Sequence, residues 1–123
     1  MNANYEDYEA IAAVLNMYVE GGRTGNAKRM TEAFHPSATI HGHTKGALLS
    51  GPIQALFDFV SSNPPAKGLR AQVCNITVSG TVASARMELS NWNGVRFTDL
   101  FALLKTDGAW RIITKVYDAH ADA

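Results

Sequence analysis

Apolar and polar positions switch between a helical and a strand period along this chain. Over residues 5–21, Tyr8, Ile11, Ala12, Leu15, Tyr18 and Val19 recur three and four positions apart, placing one apolar stripe on a helix. Glu6, Asp7 and Glu9 fall in its first turns, where negative charge suits the helix dipole, and Gly21-Gly22 is expected to end it. A short second helix is predicted over 27–33, capped by Asn26 or Gly25, because Pro36 disfavours helical geometry at His35. Residues 38–43 alternate as a short strand, with Ala38, Ile40 and Gly42 on one face and Thr39, His41 and His43 on the other. After a turn at Lys45-Gly46, a third helix is predicted from Ser50 or Gly51, with Pro52 at its first position. Ile53, Leu56, Phe57 and Val60 form its buried face, and Asn63-Pro64-Pro65 stops it.

From Arg70 onward the pattern is that of strands. Runs over 70–79 and 82–92 are separated by Gly80-Thr81, and Asn93-Gly94 leads into a final hairpin. That hairpin is the centre of the chain: two long apolar runs, 95–104 and 110–117, flank Asp107-Gly108, a dipeptide suited to a tight turn with positive φ. Such strands exceed the usual ~5–6 residues and can form the spine of a strongly curved sheet. Helices gathered at the front with a meander behind them predict α+β. Both faces of the hairpin are apolar, with Phe97, Phe101 and Leu103 on one and Leu100, Ala102 and Leu104 on the other. In its last strand Trp110, Ile112 and Val116 alternate with Ile113 and Tyr117. A sheet with two apolar faces needs two covers; the helices supply one, and a second copy of the chain is expected to supply the other.

Composition narrows the function classes. A chain of 123 residues is expected to form one domain, residues 1–123. Lys+Arg and Asp+Glu each total 11, and this balance disfavours nucleic acid as a partner. The single cysteine, Cys74, cannot form an internal disulfide, and its alternation with Ile76 and Val78 predicts a buried hydrophobe. The first residues lack a basic segment followed by an apolar core, and no apolar run nears the ~20 residues of a membrane span. The expectation is a cytoplasmic protein with no membrane partner. Gly21-Gly22-Arg23-Thr24-Gly25 follows a helix, whereas a phosphate loop precedes one, so no cofactor is expected from the glycines.

Phe34-His35-Pro36-Ser37-Ala38, Gly51-Pro52 at a helix start, the run Thr98-Asp99-Leu100-Phe101-Ala102-Leu103-Leu104-Lys105 and then Asp107-Gly108-Ala109-Trp110-Arg111-Ile112-Ile113 carry a resemblance. Over residues 8–117 the chain resembles the nuclear-transport-factor-2-like superfamily, nearest its lumazine-binding branch and related to the polyketide-cyclase and ketosteroid-isomerase branches. The resemblance implies a cone-shaped, cystatin-like α+β fold. A curved, mainly antiparallel mixed sheet would wrap around the long N-terminal helix and two shorter ones, enclosing a pocket and dimerising through its outer face. It also implies a tyrosine on the first helix and, in isomerases, an aspartate near the first strand. Here that stretch reads Thr39-Ile40-His41-Gly42-His43, without a carboxylate.

The candidate residues follow from their surroundings. Asp99 shares a strand face with Phe97 and Phe101; desolvation would raise its pKa, as a general base or neutral donor near neutral pH requires. The alternative is pairing with Arg86, Arg96 or Lys115. His41 and His43 share a face but lack the clustered carboxylates or cysteines of zinc sites, so no metal is expected; His41 is a candidate for proton transfer. Tyr18 could line the pocket or stabilise an oxyanion. Trp92 reads as a stacking lid or a rim residue, Trp110 as core, and Lys115 as a side chain that reaches solvent, contacts an anionic ligand or pairs with Asp99.

The leading expectation is a homodimer that binds a small hydrophobic or heterocyclic molecule in an apolar pocket bordered by Tyr18, Phe34, His41, Phe57, Trp92, Asp99 and Phe101. The rival is an isomerase or cyclase in which Asp99 or His41 moves a proton and Tyr18 stabilises the enolate. A third reading is a non-catalytic interaction domain with its cavity filled by its own phenylalanines.

Overall fold

The computed structural model describes residues 4–120. Helix α1 (Tyr5–Thr24) begins at Asn4, whose side chain accepts from the Glu6 and Asp7 amides, and ends at Gly25 in the left-handed region, φ 73°. It is longer than expected, because Gly21-Gly22 lies inside it. A Cβ on Gly21 would meet Met30 at 2.7 Å, and one on Gly22 would meet the Trp92 ring at 2.7 Å. The two glycines therefore permit close packing and do not stop the helix. Helix α2 (Ala27–Thr31) is shorter than expected; the Asn26 side chain caps it, accepting from the Arg29 amide at 2.9 Å.

Strand β1 (Phe34–Thr44) starts earlier than its alternation suggested, and β2 (Ala47–Pro52) occupies the stretch expected to open the third helix. Pro52 closes that edge strand instead, and α3 (Gln54–Ser62) follows. Leu56, Phe57 and Val60 are buried on α3 as its period indicated. Strands β3 (Arg70–Ser79), β4 (Val82–Trp92), β5 (Val95–Thr106) and β6 (Ala109–His120) complete a six-stranded sheet in the order β2-β1-β6-β5-β4-β3. All neighbours are antiparallel except β1 and β6. This is the α+β, cystatin-like architecture, a curved mixed sheet around a long N-terminal helix.

The core lies between the helices and the concave face. Ile11, Leu15 and Tyr18 of α1 are fully buried against Met87, Leu89, Leu103 and Ile112. The start of α1 is tied to the final hairpin by Asp7, which accepts from Trp110 Nε1 at 2.9 Å and Lys105 Nζ at 3.0 Å. The Trp110 bond, then the Lys105 bond, holds the Asp7 carboxyl below its usual range. Cys74 is exposed, a correction to its expected burial, because β3 is an edge strand and most of it faces solvent.

Two register shifts re-aim side chains on the concave face. Between the pairs Leu89↔Phe97 and Trp92↔Val95, β4 carries one extra residue, with Asn91 at φ 61°. Strict alternation from Leu89 would point Trp92 outward; the bulge turns it in, and it is buried. Between Ala102↔Thr114 and Leu103↔Ile112, β6 carries an extra residue, Ile113. It reverses the alternation expected from Trp110 and Ile112, so that Val116 is exposed and Lys115 is buried.

Gly42 tests this packing. A Cβ there would lie 2.4 Å from the Tyr117 ring and from its carbonyl oxygen. Gly42→Ala should therefore destabilise the fold by about 1–3 kcal/mol, as expected for an overpacked site, measured by urea denaturation.

Candidate active site

The concave face and α3 enclose a cavity of about 270 Å³. Its walls come from Ile40 and Thr44 of β1, Leu49 of β2, Ala55, Leu56 and Phe59 of α3, Trp92, Phe97, Lys115 and Tyr117. This is slightly below the ~300–1,000 Å³ of sites for drug-sized ligands, which suits a small molecule. Leu49 and Phe59 remain 38% and 47% exposed, marking an apolar rim. Lys115 is the cationic side chain among the lining residues, and it is only 5% exposed.

Behind Lys115 stands a fully buried carboxylate. Asp99 Oδ2 lies 3.9 Å from Lys115 Nζ and accepts a 2.6 Å hydrogen bond from the Tyr18 hydroxyl. Asp99 Oδ1 has no hydrogen-bond partner among the described residues. The cation sits over aromatic faces, 4.9 Å from the Tyr18 centroid, 5.1 Å from Tyr117 and 5.8 Å from Trp92. Tyr18 packs in turn against Phe34, Phe101 and Trp92 at centroid distances of 6.0, 5.5 and 5.7 Å.

Burial governs the protonation of all three groups. It lowers the pKa of the Lys115 amine, against the opposing pull of Asp99. It raises the Asp99 carboxyl, against Lys115 and the Tyr18 bond. It pushes the Tyr18 phenol well above its ordinary value, so Tyr18 stays a neutral donor, and the Asp99 charge adds to that. Desolvation and mutual attraction therefore oppose each other across the pair. The arrangement is one amine and one carboxyl, both shifted toward their neutral forms, with the amine at the cavity wall.

Of the residues expected to border the pocket, Trp92 lines it. Tyr18, Phe34, Phe57, Phe101 and Asp99 are buried around or beneath it. His41 lies elsewhere. It pairs in register with exposed Val116, facing away from the concave side, and its Nδ1 is 2.7 Å from Ser50 Oγ. The structure thus brings Asp99 and Tyr18 together and leaves His41 on the other face. Of the fates expected for Lys115, pairing with Asp99 is the one the structure shows, and reaching solvent is not. The available signal was a lone cation in an apolar strand two positions before Tyr117. Among the described residues, no three His, Cys, Asp or Glu side chains gather to hold a metal, and no helix is long and apolar enough to cross a membrane.

The family model described as "Putative lumazine-binding" matches residues 6–118. The chain belongs to this family. It is 32% identical over 115 residues to a protein named aldolase FrzH from Cladobotryum sp, covering 93% of this chain and 92% of that one. Among solved structures it resembles an NTF2-like protein of unknown function from Methylobacillus flagellatus KT, with a TM-score of 0.94, 42% identity, and coverage of 98% and 97%. One from Shewanella baltica OS155 gives a TM-score of 0.91 at 38% identity, covering 98% of each chain. A ketosteroid isomerase-like protein from Erwinia carotovora atroseptica shares the fold at a TM-score of 0.71 and 12% identity, over 96% and 99%.

Lys115→Met should expose the cost of the buried carboxylate. Removing one partner of a buried pair costs about 3–5 kcal/mol. A carboxyl with raised pKa binds more protons folded than unfolded, so stability falls as pH rises from the ordinary 3.8 through the raised value. The loss in Lys115→Met should thus be largest at neutral pH and shrink toward pH 4, in urea titrations across pH. Lys115→Met combined with Asp99→Leu should recover most of it.

Proposed function

We propose that this protein is an enzyme acting on a small aldehyde or ketone, catalysing proton transfer at the carbon beside the carbonyl and aldol-type carbon–carbon chemistry. The observation that carries the reading is a buried amine, Lys115, on the wall of an apolar cavity with Asp99 and Tyr18 behind it. The apolar walls hold the body of the substrate, and the amine meets its carbonyl. The Asp99 carboxyl, 3.9 Å away, sets the charge of that amine and exchanges a proton with it. The relative named an aldolase supports this reading over a pure binding module, because a binding module has no need of a costly buried ion pair.

The test is deuterium exchange at the α-carbons of cyclohexanone and hexanal in D₂O, followed by proton NMR. Exchange should exceed the buffer rate and fall by about 10²-fold or more in Lys115→Met, the usual scale of acid–base catalysis. Exchange no faster than buffer sinks the reading.

We further propose that the protein works as a homodimer. Val82, Leu100 and Val116 are 49%, 49% and 43% exposed, and their register partners place them on the convex face. Three apolar side chains on neighbouring strands favour a covered surface, and an isologous contact with a second copy supplies it. Sedimentation should show a dimer, and Leu100→Asp should shift it toward monomer with the Lys115 site intact.

A further inference from the structure

We infer that Lys115 is a nucleophile: its Nζ forms an imine with the carbonyl carbon of an aldehyde or ketone held between α3 and the sheet. This rests on the carbonyl reading above and assigns the covalent step within it. Several independent observations converge on this lysine. Of the five lysines, Lys28, Lys45 and Lys67 are exposed and Lys105 is engaged by Asp7, whereas Lys115 is buried and borders the cavity. No hydrogen bond from its Nζ is found among the described residues, and the Asp99 carboxylate oxygen lies 3.9 Å away. An amine with no hydrogen bond keeps its lone pair available once it loses a proton, and burial favours that loss against the pull of Asp99. The walls exclude water, which favours the dehydration that an imine requires. The rings of Tyr18, Tyr117 and Trp92, 4.9 to 5.8 Å from Nζ, would also face an iminium nitrogen at that position and stabilise its charge.

The step balances with the groups present. The Nζ lone pair adds to the carbonyl carbon, forming a C–N bond, and the carbonyl π pair moves to oxygen. One amine hydrogen transfers to that oxygen. A proton from the Asp99 carboxyl completes a water molecule, which leaves with the C–O bonding pair. The product is a protonated imine carrying one hydrogen on nitrogen, beside an ionised Asp99. The iminium then draws electrons from the adjacent C–H bond. That proton passes to the Asp99 carboxylate, leaving an enamine whose carbon can attack a second carbonyl. Water reverses the addition and restores the amine. Asp99 Oδ1, buried and without a partner, is an open position for the proton carried through this cycle.

The test begins with limiting ¹³C-formaldehyde and cyanoborohydride on the whole protein at neutral pH, followed by peptide mapping. Formaldehyde is small enough to enter without substrate recognition, and reduction traps whichever amine forms an imine. Lys115 should be labelled ahead of Lys28, Lys45 and Lys67, by about tenfold for each pH unit by which its amine is lowered. In Asp99→Asn the labelling of Lys115 should move to still lower pH, because the carboxylate that favours its charged form is gone. Labelling of the surface lysines with Lys115 unmodified overturns the inference. Trapping is then repeated with cyclohexanone. An adduct on Lys115 equal to the probe mass less one oxygen supports the imine. α-Exchange without such an adduct overturns the imine and leaves the carbonyl reading standing. An adduct without exchange keeps the imine and overturns the proton-transfer chemistry. Lys115→Arg retains a cation but no nucleophilic amine, so retained exchange in that variant also counts against the inference.

Discussion

The interaction on which this structure turns is the ion pair between Asp99 and Lys115, both of them buried. Taking two such charges out of water costs several kcal/mol each, and their attraction repays this only with good geometry and further hydrogen bonds. Here the repayment is partial. Tyr18 donates to one carboxylate oxygen, the other has no partner among the described residues, and the separation is 3.9 Å, longer than a hydrogen bond. A pair held this loosely contributes little as a fastener. It sets an amine and a carboxyl, both shifted toward their neutral forms, 3.9 Å apart beside a cavity of molecular size.

That pair exists because the sheet breaks its own period. On a strand with strict alternation, Trp110 and Ile112 facing inward would put Thr114 and Val116 inward too, and Lys115 would face solvent. The extra residue at Ile113 reverses the sequence of faces, and the Asn91 bulge does the same for Trp92. Once both are turned, Trp92 packs on Gly22 and Tyr117 lies across Gly42, each where any side chain larger than hydrogen would collide. The bulges, the glycines and the rings therefore form one mutually dependent arrangement around Nζ. Its rigidity matters chemically, because an amine that could swing to solvent would regain its ordinary pKa.

What the sequence disclosed and what it withheld divide along the same line. Helix faces were legible wherever an apolar stripe met the core, as with Ile11, Leu15 and Tyr18 or Leu56, Phe57 and Val60. The meander was legible from its turn dipeptides, and Asp99 stood out as a carboxylate between phenylalanines. Strand β2 was hidden, because almost every residue of Ala47–Pro52 is exposed and an edge strand without a buried face has no alternation to read. Gly21-Gly22 read as a helix stop because propensity is local, while the ring and the methionine that demand those glycines come from α2 and β4. Cys74 read as core because β3 alternates in sequence but lies at an edge. Lys115 was legible as a partner for Asp99, but its inward placement was not. A bulge is a feature of pairing between strands, and nothing within 110–117 announces which partner residue will be skipped.

This locates where function diverges within the fold. The cone is shared with a ketosteroid isomerase-like protein at 12% identity, so the scaffold alone does not choose a reaction. The isomerase pattern would set a carboxylate near β1, and in this chain that strand offers His41 on the outward face and Gly42 on the inward one. The carboxylate instead stands on β5, and the amine diagonal to it on β6 comes inward through a one-residue insertion. The buried Asp99–Lys115 pair thus lies on β5 and β6 within the same strand order. A well-packed apolar pair at positions 99 and 115 would satisfy the fold at least as well as the charged one. The charged pair is accordingly a part of the interior that folding does not require, and this is what favours the proposed chemistry over a purely structural role.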